Sequence, residues 1–333
     1  MKRIVVFIAL LLCMSLAQAS LSKTRETREF TFTYEVQDAD YPVGQAVDLY
    51  VPAPALSVGQ EVLAQSINSS TQVIEKKEAK YGNRYYHLRR EAGDTTPLTA
   101  TFEWTVSREV VTANGSERLG TTELEPFLVS NRLVPVGHKI LQPILAEIHA
   151  ARKSASKPDT ARAIYDWVVD NVEYKKVGTG WGNGDTFWAC SERYGNCTDF
   201  HALFTALARS EGIPSRFEIG FPVPLSRNAG KIGGYHCWVQ FYLPGEGWVP
   251  IDASEAAKHP EQRELLYGSH PMDRIHFTTG RDLQFTQATQ EKPLNYFVYP
   301  YVEIEGKAWT GKVPTQFRYA EPLSQSLQSS QES

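Results

Sequence analysis

The sequence predicts an α+β fold, with an N-terminal β-sandwich-like domain ahead of a core in which a cysteine-bearing helix packs on an antiparallel sheet. Three observations predict it. Apolar and polar residues alternate with a period of two over roughly the first third of the chain. The period then changes to that of helices, and it returns to two after Gly234. With 333 residues, 42% hydrophobic and 22% charged, the chain is long enough for about two domains with proper cores.

The first element is a leader. Met1-Lys2-Arg3 is basic, residues 4–16 form an apolar run, and Ala17-Gln18-Ala19 has the small-x-small pattern of a cleavage site. The run is too short to span a bilayer, and Leu12 before Cys13 does not suit a lipid-attachment site. The expectation is a signal peptide (1–19) cleaved after Ala19, and an exported protein, periplasmic or secreted, with no membrane insertion after cleavage. Losing Lys2 and Arg3 leaves 32 basic against 38 acidic side chains, a net charge of −6. That balance argues against nucleic acid or an anionic membrane surface as partner. Three cysteines remain, Cys190, Cys197 and Cys237. An odd number in an oxidising compartment leaves at least one thiol unpaired within the monomer.

Residues 20–130 read as the β-rich domain, a structural or recognition module. Phe30, Phe32, Tyr34 and Val36 alternate with polar partners, as do Val47, Leu49 and Val51, and Leu98, Ala100, Phe102, Trp104 and Val106. The core is expected over 131–255. Ile140, Ile144, Leu145 and Ile148 mark a first helix. Asp159 or Thr160 can cap a second, whose stripe is Ile164, Trp167, Val168 and Val172. The glycine-rich run 178–185 matches neither phosphate-binding spacing and reads as a loop bringing backbone close to a site. Residues 256–320 form a C-terminal extension. Arg274–Phe285 is strand-like, and Tyr296–Ile304 and Val313–Tyr319 flank Glu305-Gly306-Lys307 as a β-hairpin packing on the core. The Ser- and Gln-rich 321–333 reads as a disordered tail.

The chemistry concentrates in two segments. After Gly195-Asn196-Cys197, the residues Phe200, Leu203, Phe204, Leu207 and Ala208 recur at helical spacing, and Gly212 with Pro214 ends the helix. Cys197 therefore sits at a helix N-terminus, where the macrodipole and free amides favour a thiolate and can stabilise an oxyanion. Downstream, His236, Trp238, Gln240 and Tyr242 share one face of a strand, with Cys237, Val239, Phe241 and Leu243 on the other. Pro244-Gly245-Glu246-Gly247 is turn sequence and Trp248–Asp252 a second strand. The midpoint between His236 and Asp252 is residue 244, inside that turn, so an antiparallel hairpin brings the two side by side. A carboxylate beside an imidazole fixes its tautomer, and a histidine so held can take and return a cysteine's proton. Cys197, His236 and Asp252 form a nucleophile, base and orienting set. On a helix, Asp199 and His201 are expected to point away from Cys197, as supporting or surface groups.

The run 195–204 with Gly212-Ile213-Pro214-Ser215-Arg216-Phe217, the strand Tyr235–Tyr242 and Gly247–Asp252 together resemble the core of the transglutaminase-like superfamily. The resemblance is strong over about 160–255. It implies a papain-like core and a catalytic Cys197, His236 and Asp252 that form a thioester with a glutamine side chain or peptide carbonyl of a protein or peptide substrate. Amine or water then resolves the thioester. It also implies oxyanion help from the nucleophile's own amide and an upstream side chain. Trp181, with Asn183 behind it, and Trp238 are the oxyanion and site-lining candidates. Cys190 and Cys237 could form a disulfide bracing the site or be two inert thiols. No cofactor is expected and no metal: there is no EF-hand-type loop, and adjacent strand residues His236 and Cys237 would not share a zinc ion. The alternatives are a non-catalytic binding module of the same fold and, more remotely, a zinc site built on the three cysteines.

Overall fold

A computed structural model describes residues 27–322 apart from 114, 116, 117, 286, 287 and 291. The expected signal peptide with its cleavage after Ala19, and the tail from residue 323, lie outside the described residues. Among the described residues no helix is long and apolar enough to cross a membrane.

Thr27–Val36 shows how the alternation becomes a sheet. Its apolar residues Phe30, Phe32, Tyr34 and Val36 are all buried, and they face Val106, Trp104, Phe102 and Ala100 across an antiparallel ladder. Aromatic and β-branched pairs of this kind are the unit of sheet stabilisation. A five-stranded sheet results, ordered Ala229–Ile232, Thr315–Ala320, Thr27–Val36, Ala100–Glu109, Gln60–Ser69. A second five-stranded sheet runs Lys307–Ala308, Tyr301–Ile304, Val47–Pro52, Arg84–Arg90, Val73–Lys77. The third has four strands, Gly247–Ile251, His236–Leu243, Ser215–Pro222 and Arg274–Thr279. Neighbours in the three sheets are antiparallel throughout, so the fold is mixed α and β with antiparallel sheets dominant.

One face of the four-stranded sheet is shared between two cores. Phe217, Ile219, Phe221 and Cys237 join the N-terminal strands, where Phe32 and Phe221 rings lie 5.2 Å apart. Val239 and Phe241 join the helical core with Phe200, Leu203, Phe204 and Leu207 of the helix Cys197–Ser210 and with Ile144, Ile148, Ile164 and Val168. Fully burying each such side chain is worth about 1.5–3 kcal/mol, so this face anchors both the helix and the strands.

Three expectations are corrected. Tyr301–Ile304 and Thr315–Ala320 do not pair with each other as a hairpin on the core. The first pairs with Val47–Pro52 and the second with Thr27–Val36. Each thereby covers an edge that an N-terminal sheet would otherwise expose, a long-range choice that a local turn signal does not carry. The second helix, Lys157–Asn171, is capped by Ser156, whose hydroxyl accepts from the Asp159 amide. Pro158 occupies its first turn, where no N–H is needed. The strand expected over Arg274–Phe285 ends at Thr279, before Gly280 at φ +88°.

Candidate active site

Cys197 is the first residue of its helix. Asn196 caps it, accepting from the Thr198 amide at 2.9 Å, and Asp199 reaches back to accept from the Asn196 amide at 2.9 Å. This reciprocal cap leaves the Cys197 amide in the first turn, where no intrahelical acceptor exists. Gly195 allows it, since a Cβ there would lie 2.2 Å from an Asp199 carboxylate oxygen. Asp199 is fully buried and also accepts from the amides of Gly182 at 2.7 Å and Gly184 at 3.0 Å. The glycine-rich loop is thus tied to the start of the helix, and Asp199 is no surface group. Burial raises its pKa against the pull of those amides. Arg281, also buried, holds the same loop from behind by donating to the Gly184 carbonyl at 2.8 Å.

His236 opens its strand and Asp252 follows the next one. The His236 Nε2 and Asp252 Oδ2 atoms are 2.6 Å apart. The contact is as expected, but the register is not: Leu243 pairs with Gly247 and Val239 with Ile251, centring the turn on residue 245. Asp252 therefore lies diagonal to His236, a spacing that long side chains span. Asp252 also accepts from Arg274 at 3.0 Å, and its other oxygen accepts from the Ser254 hydroxyl and the Glu255 amide, both at 3.0 Å, capping the helix Ala253–Lys258. With Nε2 engaged, Nδ1 is the nitrogen left for Cys197.

The electrostatics follow from these contacts. Burial opposes a charged His236, but the Asp252 charge, the bond to it and Cys197 outweigh that and push its pKa up to about 10. Burial pushes the Cys197 thiol up. Hydrogen bonds with Cys237 and His236, and the charge of His236, bring it well below the ordinary thiol range. Asp252 is held well below the carboxylate range, against its burial, by His236 and then Arg274. Both shifts favour the thiolate and imidazolium form, the reactive form of a cysteine beside a histidine.

His201 does not point away. It lies four residues after Cys197, one helical turn on, and so shares its face. Fully buried, it accepts from the Ala253 amide at Nε2 (3.2 Å), and its Nδ1 is 3.5 Å from Cys237 Sγ. The i, i+4 spacing was the available signal for it. The oxyanion candidates fare differently. The Trp181 indole N–H donates to the Gly178 carbonyl at 3.1 Å and the Asn183 amide to the Gly180 carbonyl at 3.0 Å, so both serve the loop's own shape. Trp238 is buried, donates to Glu218 at 2.7 Å and has its ring 5.9 Å from that of His236, a support behind the imidazole. The donor nearest to hand is the Cys197 amide. Nor are Cys190 and Cys237 bonded. All three cysteines are free; Cys190 packs at the margin of the helical core and Cys237 in the strand core, beside Cys197.

A cleft of about 320 Å³ opens on His236, lined by Tyr174, Tyr235, Glu255, Lys258 and Arg274. Among the described residues no group of three His, Cys, Asp or Glu side chains is arranged to hold a metal ion.

Residues 144–253 match the model of the transglutaminase-like superfamily. An uncharacterized protein of Haemophilus influenzae is 27% identical over 374 residues, spanning 96% of this chain and 98% of its own. A Bacillus subtilis protein, YebA, is 30% identical over 79 residues, 21% of this chain and 11% of its own length. The crystal structure of a candidate cysteine protease from Cytophaga hutchinsonii superposes with a TM-score of 0.59 at 20% identity, over 88% of this chain and 90% of that one.

Proposed function

Because the chain carries a transglutaminase-like core, we propose that it is an exported thiol enzyme acting on protein or peptide amides, glutamine side chains or peptide bonds, through a thioester. Cys197 is the nucleophile, His236 the general base and acid, and Asp252 the group that orients His236. The observation that carries this reading is the 2.6 Å His236–Asp252 contact beside a buried cysteine at the start of a helix.

The Cys197 thiolate attacks the amide carbon, and the carbonyl electrons move to oxygen, which the Cys197 amide at the helix start receives. Collapse of that intermediate breaks the C–N bond as His236 gives its proton to the departing amine. An incoming amine or water then loses a proton to His236 and attacks the thioester, releasing the product and restoring the thiolate.

The test is incubation of the mature protein with a glutamine-rich protein, with and without a labelled primary amine, followed by mass spectrometry. Amine incorporation, deamidation and cleavage give different mass changes, and Cys197→Ala is expected to abolish whichever occurs. Iodoacetamide should label Cys197 first and Cys190 slowly, since burial pushes the Cys190 thiol up to about 11. Conversion that survives Cys197→Ala overturns the proposal. A Cys197 inert to iodoacetamide, with no conversion of any amide, favours a binding module.

A further inference from the structure

The mechanism above leaves the buried thiol of Cys237 and the buried His201 beside it without a task. Cys237 is fully buried, next along the strand from His236, and lies in the same core cluster as Cys197. On its other side Cys237 Sγ is 3.5 Å from Nδ1 of His201. The His201 Nε2 accepts from the Ala253 amide, so the ring proton sits on Nδ1, beside both Cys237 Sγ and the Cys197 backbone carbonyl. Cys190 is in a different core cluster and takes no part in these contacts. The three groups form a chain, His201 to Cys237 to Cys197, at the end of which lies the reactive sulfur.

We propose that Cys237 is the resolving thiol of Cys197, so that a peroxide-class oxidant converts the pair into a reversible Cys197–Cys237 disulfide. In the first step the Cys197 sulfur attacks one oxygen of hydrogen peroxide, the O–O bond breaks and the leaving hydroxide takes the His236 proton to become water, giving Cys197 sulfenic acid. In the second, the Cys237 sulfur attacks the Cys197 sulfur, the S–S bond forms, the S–O bond breaks, and the hydroxide departs with the Cys237 proton as water. The two sulfurs lose two electrons in total and the peroxide becomes two waters. The His201 Nδ1–H stabilises the charge that builds on Cys237 as it attacks. Without a second thiol, a sulfenic acid goes on to sulfinic acid, which is not readily reversed. Burial holds Cys237 as a thiol well above the ordinary range, which leaves Cys197 the sulfur that meets the oxidant.

The proposal does not depend on turnover and is tested by mass. Trypsin places the cysteines on separate peptides, Val177–Arg193, Tyr194–Arg209 and Ile232–Lys258. After treatment of the full mature protein with hydrogen peroxide, non-reducing mapping should link Tyr194–Arg209 to Ile232–Lys258. Iodoacetamide labelling of Cys197 should be lost and then return with dithiothreitol. In Cys237→Ala the loss should become permanent, with Cys197 as sulfinic acid. Cys190→Ser should behave as wild type. Sulfinic Cys197 beside reduced Cys237 in the wild type, or a link to Val177–Arg193, overturns the proposal. Should Cys237→Ala fail to fold, the wild-type map decides alone.

Discussion

Proton counting at Cys197 and His236 gives the ion pair a signature. In the folded protein the pair holds one proton, on His236. In the unfolded chain between the ordinary histidine value of 6.5 and the ordinary thiol value of 9.0 it also holds one, on the thiol. The pair therefore adds no slope to stability over that range. In Cys197→Ala the Asp252 carboxylate still raises His236. Stability from that rise is fully present below pH 6.5 and is lost as pH climbs through the folded value. Denaturant midpoints of the variant should fall from pH 6.5 towards 9 relative to wild type, and equal slopes would refute the ion pair. Cys197, His236 and Asp252 were readable because each sits at a position with a local signal: a helix start, a strand start and a strand end. The use made of Trp181 and Asn183 was not. Where an indole or amide donor points depends on the path of a loop, and here both turn inward to that loop's own carbonyls.

The glycine-rich loop has its shape imposed from outside. Asp199 takes amides from Gly182, Gly184 and Asn196, joining loop and helix through one carboxylate. Asp199→Ala leaves three amides without a partner, at about 1–3 kcal/mol for each that stays buried. Lower stability is expected, together with faster tryptic cleavage after Lys175 and Lys176 upstream of the loop. Unchanged proteolysis would mean that the donors from Arg281, Asn295 and Tyr296 suffice to hold it. Among the elements, the helix of Cys197 follows its apolar period as read. The hairpin was read with the right contact and a register centred one residue early, because the sequence around Pro244-Gly245-Glu246-Gly247 does not say which residue rejoins the ladder. Gly247 does. The C-terminal strands were read as strands but with the wrong partners, since the true ones lie more than two hundred residues away.

The shared sheet face makes the catalytic segment depend on the rest of the chain. Phe217, Ile219 and Phe221 are buried only because strands from both ends of the sequence cover them. Residues 131–255 expressed alone should therefore expose an apolar face, bind a hydrophobic dye and aggregate. A fragment that is monomeric and cooperatively folded would contradict this. The order of the first sheet carries a further consequence. Thr315–Ala320 lies between Ala229–Ile232 and Thr27–Val36, so the last strand made is the bridge to the first. A chain emerging N-terminus first, from a ribosome or a translocation channel, cannot close that sheet until Thr315–Ala320 is out. Until then the strand Thr27–Val36 waits with one edge open, a row of unpaired backbone groups free to pair with another chain.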